Sequence, residues 1–324
     1  MKIKTCLLLF IISTLIFSIN PGLADDSKLE KTEKPEMPEF HRVQTADDFK
    51  KIGNDWGLDG KYTLIADIEI VDETWQPIGS ASRPFTGSFS GQFFTITFSK
   101  DTKLIQPDGP ETNGEANGYG LFGNVEGEAQ IHNLTVILKG NMTGENNVGP
   151  LVGIVDRPDV NRSIAFWNCS VQSQNNAIVI GKSNVGGIVG SWKNGTIENI
   201  SSDVTVKAES ENAGGLIGNA YVCNISDSFA AGDVKAGQEN AGGLIGYVKS
   251  GRIFNTYAAG NISSKNNVGG FIGYISDEIN LSYCTATGVV KTDESKTKTG
   301  FFGGENGGNK SIVNGCFYRG VEVN

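Results

Sequence analysis

Histidine is almost missing from this 324-residue chain: there are two, His41 and His132. Neither stands in the His-Glu-x-x-His setting by which a helix offers two imidazoles to zinc beside a glutamate base. A Ser-His-Asp triad would have to use one of the same pair. His132, between Ile131 and Asn133 in a strand-like segment, reads as a structural or exposed side chain. Proline is also scarce, 9 residues, so the 43 glycines do not indicate collagen, and 38% hydrophobic residues is too much for a disordered chain. Long apolar runs are lacking after residue 24, and basic residues, 27, fall short of acidic ones, 36. What is abundant is glycine and asparagine, 29 of the latter, which suits an all-β chain rich in tight turns.

Lys2 and Lys4 precede an apolar run from Leu7 to Ile19, and Pro21-Gly22-Leu23-Ala24 ends it on small residues. This pattern predicts a secretory signal over residues 1–24. The run is shorter than the roughly 20 residues a membrane span needs, and Cys6 precedes the apolar core, so no lipid attachment is expected. Removing Lys2 and Lys4 from 27 basic and 36 acidic residues leaves a charge of −11. That sign argues against nucleic acid as a partner and against membrane insertion or binding after cleavage. The expected location is secreted, periplasmic or cell-surface.

Residues 25–40, DDSKLEKTEKPEMPEF, are charged and poor in large apolar groups, and are expected to form a flexible linker. A cap and first coils are expected over 41–110. Thr45 is placed to cap a short helix, with Asp47 and Asp48 in its first turn, Gly53 at its end, and Phe49, Ile52 and Trp56 on its buried side. Strand-like segments follow at Lys61 to Ile70 and Phe85 to Phe98, the second alternating Phe94, Ile96, Phe98.

From residue 111 onward the chain repeats. A Gly-Gly-apolar-apolar-Gly string, or a near variant, ends at Gly123, Gly153, Gly190, Gly218, Gly246, Gly273 and Gly303. Ile197, Ile225, Ile253 and Leu281 recur every 28 residues, and so do Val206, Val234, Ile262 and Val290. Two apolar columns in one phase with a glycine column predict a solenoid. The units hold short β-friendly pieces such as LIGYV from Leu244, without room for two amphipathic helices. The fold class expected is therefore all-β: a right-handed parallel β-helix or β-solenoid of about 28-residue coils, with a short N-terminal capping helix. A further column, Asn133, Asn168, Asn199, Asp227, Asn255 and Asn314, with Tyr283 as exception, predicts turn residues bonded from coil to coil. On that reading the Asn-x-Ser/Thr matches at Asn133 and Asn199 are expected to be buried.

The strings VGGIVGSWKNGTIENI from Val185, AGGLIGNAYVCNISDSFAAGDV from Ala213, AGGLIGYVKSGRIFNTYAAGNI from Ala241 and VGGFIGYISDEINLSYCTATGVV from Val268 resemble the GLUG-motif proteins. KYTLIADIEI, WQPIGS and PFTGSFSGQFFTITF, upstream, look like the leader that often precedes GLUG repeats. The resemblance covers nearly all of residues 41–320. It implies a parallel β-helix-like solenoid of the kind found in adhesins, surface proteins and non-catalytic regions of immunoglobulin A-cleaving metalloproteases.

The chemistry on view is thin. Asp156-Arg157-Pro158-Asp159-Val160-Asn161-Arg162 lies in the longest interval between glycine strings, where an insertion could carry function. Asp156 and Asp159 are the acids a polysaccharide-cleaving β-helix lyase or hydrolase would use, with Arg157 and Arg162 beside them; compensating solvated charge is the plainer account. Trp192, Tyr221, Tyr247 and Tyr274 follow the glycine strings, and as a row they could stack on sugar rings, although their offsets drift by one or two residues. Asp156, Arg157, Asp159, Arg162, Trp192, Tyr247 and Tyr274 are thus the candidate binding residues. Cys169, Cys223, Cys284 and Cys316 share no offset in adjacent coils, which predicts buried small side chains rather than stacked pairs. No cofactor and no metal are expected. The reading favoured is an exported, non-catalytic solenoid whose surface serves adhesion or recognition of a glycan or surface protein.

Overall fold

Most strands are short because Gly, Asn or Asp turns the chain within a few residues, and the next apolar residue then faces the same interior. The computed structural model describes residues 40–106, 116–156, 165–292, 301–305, 311–320 and 322–323, all in a unit spanning Glu39–Asn324. The expected signal segment and almost all of the expected linker, with Arg157, Asp159 and Arg162, lie outside the described residues. Among those described, the strand pairings are parallel, and they build three sheets, of 21, nine and four strands.

One coil shows the plan. Val234–Ala236 lies in the nine-stranded sheet, Glu239–Gly242 in the four-stranded sheet, and Ile245–Phe254 with Tyr257–Ala258 in the largest. Ile197, Ile225, Ile253 and Leu281 face one another in register, as do Val206, Val234, Ile262 and Val290. All eight are at most 2% exposed. Burying each such side chain contributes about 1.5–3 kcal/mol against leaving it in water. The two apolar columns are the core, as their 28-residue spacing predicts.

Differences in coil length are taken up at corners, so strands stay in register. Val234 faces Ile262, 28 residues on, whereas Glu239 faces Asn266, 27 on; the missing residue lies in the corner between them. The longest interval behaves alike: Val152 faces Val189, an offset of 37, but Ala165 faces Thr196, an offset of 31. The six extra residues therefore fall between Val155 and Ala165.

The helix spans Ala46–Lys50 with Thr45 as its cap. The Thr45 hydroxyl accepts from the Asp48 backbone N–H, and the Asp48 carboxylate accepts from the Gln44 and Thr45 N–H groups. The Lys51 ammonium beside it, aided by these backbone donors, lowers the Asp48 carboxyl to about 2. Phe49 is fully buried against Trp75, Phe89 and Phe122, at centroid distances of 5.9, 5.2 and 5.9 Å.

Two asparagine ladders hold the corners. Asn133, Asn168 and Asn199 are joined by side-chain bonds of 2.9 and 2.7 Å, and Asn255 donates to Asp227 at 2.6 Å. All adopt positive φ, from 47° to 54°, a conformation that Asn tolerates better than most residues. The ladder lies nearer the surface than expected: Asn133 is half-buried and Asn199 exposed, because the corner turns outward while only the amide heads meet. Asn314 is not in the column. Leu281 faces Val313, so Gly315 with φ 59° holds that corner and Asn314 pairs with Ser282. The second ladder, unforeseen, runs Asn147, Asn184, Asn212, Asn240, Asn267 with bonds of 2.8, 2.8, 2.8 and 2.9 Å.

Cys169, Cys223 and Cys284 are buried free thiols, as expected. Burial pushes the Cys169 thiol up to about 12. The expectation that no two cysteines align fails at the last coil, where the Cys284 backbone N–H lies 3.3 Å from Cys316 Sγ. The longer offset between these coils, 32 residues, hid the match.

Candidate binding surface

Along a strand, side chains alternate between core and solvent, so a one-residue difference in offset moves an aromatic to the other face. Trp192 faces Ala220, which faces Val248, which faces Ile275. All four are core positions, and Trp192 is fully buried with its ring edge-on to Phe166 at 5.3 Å. The expectation that Trp192 binds a ligand is therefore overturned. Its indole N–H is buried without an acceptor. Trp192→Phe should accordingly change stability by less than about 1 kcal/mol, while Trp192→Ala should cost about 3–5 kcal/mol through the cavity it leaves. Thermal unfolding of the two variants checks this.

Tyr247 and Tyr274 sit one position earlier and point outward. They face each other in register with rings 5.8 Å apart and 15° from parallel. One face of each ring is covered by the other, and both side chains are half-buried. Tyr221 is 48% exposed, with the Lys249 ammonium 4.0 Å from its ring centroid and donating to its hydroxyl; that bond raises the Lys249 pKa. Phe229 and Tyr257 are parallel to within 2° at 5.5 Å.

The corner of the next coil differs from its predecessors. Where Asn133, Asn168, Asn199, Asp227 and Asn255 occupy the left-handed corner, Tyr283 does so with φ 56° and is 65% exposed. A bulky residue at positive φ is strained by about 1–2 kcal/mol. The ring meets Phe254, itself 48% exposed, edge to face at 5.6 Å. Beside the other end of the same ladder, Phe93 has φ 64° and is 74% exposed, its N–H bonded to the Asn133 carbonyl. Sequence reasoning noted Tyr283 only as a break in the column and passed over Phe254 and Phe93.

The remaining candidates do not assemble into a reaction site among the described residues. The Asp156 carboxylate is gripped by Lys193 Nζ, 2.8 and 3.0 Å from its two oxygens. His132 stacks on Trp167 at 4.2 Å and 3°, and burial lowers its pKa. His41 stacks on Trp56 and Tyr62 at 4.7 and 5.4 Å. No three His, Cys, Asp or Glu side chains gather to hold a metal ion among the described residues, and none of their helices is long and apolar enough to cross a membrane.

The structure also holds a cleft of about 500 Å³ that no sequence signal marked, between the segment after the capping helix and residues 72–83. Its two walls come from stretches some 20 residues apart, and nothing in their composition announces that they meet.

Comparison with known proteins agrees on architecture. The GLUG motif model matches residues 265–291, and the coils before that stretch share its register. A crystal structure described as a "putative immunoglobulin A1 protease" from Bacteroides ovatus superposes with a TM-score of 0.59 at 20% identity, covering 84% of this chain and 85% of that one. At that identity the likeness is one of fold. No curated protein matches the chain.

Proposed function

We propose that this GLUG-repeat β-solenoid is an exported, non-catalytic recognition protein that binds a glycan or surface protein through exposed aromatics of its largest sheet. The observation that carries the reading is Tyr283, kept in a left-handed corner where five preceding coils place Asn or Asp. Backbone strain retained at an exposed aromatic is a feature that function explains and stability does not. Phe254, which the Tyr283 ring meets, and Phe317, paired with Thr285 in the next coil, add apolar area beside it, while Tyr221 and Phe229 are exposed elsewhere on the same sheet. Tyr and Phe of this kind form the anchors of recognition surfaces.

Tyr283→Asn separates the two roles by sign. An asparagine there extends the ladder beyond Asn255 and relieves the strain, so thermal stability should rise by about 1 kcal/mol. Ligand retention should fall about tenfold or more with the loss of an aromatic anchor. The measurement is retention on a panel of immobilised polysaccharides and surface proteins, with release of reducing ends or unsaturated products followed in parallel. Retention without cleavage, reduced in Tyr283→Asn and unchanged in Asp156→Ala, is expected. Cleavage abolished in Asp156→Ala would replace this reading with a polysaccharide-cleaving enzyme.

A further inference from the structure

The cleft beside the capping helix has an apolar floor and a rim whose charges are almost matched. Ile52, Trp75, Pro77 and Ile78 are buried beneath it, with Leu58 packed against them. On the rim Asp72 takes the Lys50 ammonium at 2.7 Å, and Glu73 lies 3.9 Å from Lys100. Arg83 is the exception. One arm of its guanidinium donates to the Gly53 carbonyl at 2.9 Å, which ties the side chain across the mouth. Among the described residues no carboxylate lies within 4 Å of it.

A guanidinium anchored by one arm keeps its remaining N–H groups in a planar fork that fits a carboxylate. The two acids that line the cleft, Asp72 and Glu73, lie beside Lys50 and Lys100 instead. The floor offers an apolar body a place next to the anion, polar side chains such as Asn54 and Gln76 stand on the walls, and about 500 Å³ admits one or two residues of a chain, not a folded domain.

We propose that this cleft binds the C-terminal end of a peptide, the free carboxylate on Arg83 and a large apolar last side chain on the floor by Trp75 and Ile78. The site is separate from the aromatic face. An apolar side chain beside peptide groups suits this mixed lining, with Ile52, Leu58 and Pro77 beneath the side chain and Asn54, Gln76 and Ser80 as partners for the backbone amides.

Isothermal titration of the intact protein with acetyl-Ala-Leu bearing a free carboxylate tests it, with the C-terminal amide of that peptide and glucuronic acid as the other probes. Saturable binding of the acid is expected, weakened about 10- to 100-fold in the amide and in Arg83→Gln. Arg83→Lys, which keeps the charge and loses the fork, should fall between. Circular dichroism melts confirm that each variant is folded, and Tyr283→Asn should bind the peptide as the unaltered protein does, so failure here and failure of the aromatic face are told apart. Equal binding of acid and amide, tighter binding of glucuronic acid, unaltered binding by folded Arg83→Gln, or no saturation of the intact protein with millimolar peptide would each overturn the proposal.

Discussion

Gly243→Val is expected to lower the melting temperature by about 10 °C, corresponding to a loss of about 3 kcal/mol or more. A Cβ at Gly243 would lie 2.2 Å from the Gly270 carbonyl oxygen and 3.1 Å from Ala258 Cβ. The carbonyl is backbone of the next coil, fixed between the strands Asn266–Gly269 and Ile272–Ile275, so it cannot step aside as a flexible side chain could. Gly215 stands in the same relation to the Gly243 carbonyl, again at 2.2 Å, and Gly215→Val should behave alike. Because each coil contacts mainly its neighbours, the damage spreads by loosening the stack on both sides. Gly127→Ala is the contrasting variant: its nearest neighbour would be Thr86 Cγ2 at 3.8 Å, so only its φ of 69° opposes the change, at about 1 kcal/mol. Melting curves of the three variants decide it. Unchanged unfolding in both valine variants would mean that the glycine column does not set the coil spacing.

The second large effect is expected at Asn240, in the middle of the inner ladder and buried. It donates to Asn212 Oδ1 and accepts from Asn267 Nδ2, with φ 62°. Asn240→Ala removes both bonds, leaves buried Asn212 and half-buried Asn267 each short of one bond, and places in the left-handed region a residue that tolerates it less well than asparagine. The sum should reach about 2–4 kcal/mol. Asn240→Gly loses the same bonds without the backbone strain, so it should be milder by about 1 kcal/mol. Asn240→Asp keeps an acceptor for Asn267 but cannot donate to Asn212, and two facing oxygens then repel. Chemical denaturation of the three variants orders them as Gly least, then Asp and Ala. If Ala and Gly were equally harmful, the hydrogen bonds alone would account for the ladder and backbone strain would not.

The fold was legible because its core is periodic. Each turn of the solenoid repeats the same environment, so Ile197, Ile225, Ile253 and Leu281 had to recur at one spacing to meet, and any reader counting residues finds them. The second asparagine ladder is equally periodic in the sequence, since Asn184, Asn212 and Asn240 are also 28 residues apart. Trp192 was misplaced. It stands one residue later in its coil than Tyr247 does, and in a strand that single step exchanges solvent for core. Cys284 and Cys316 lie 32 residues apart, off the 28-residue spacing, and only the register shows where the extra residues went.

By itself, then, the sequence determined what repeats: parallel coils of about 28 residues, two apolar columns, glycines that let coils approach, and a capped helix at the start. Local pattern suffices there because neighbouring coils interact residue for residue, at a constant separation in the chain. Only the tertiary structure decided what does not repeat. It turned Trp192 inward, exposed Tyr283 on a strained corner, tied Asp156 to Lys193, and brought Arg83 to Gly53 across a cleft. Those outcomes depend on register, corner geometry and contacts between segments of unlike spacing. No periodicity encodes them.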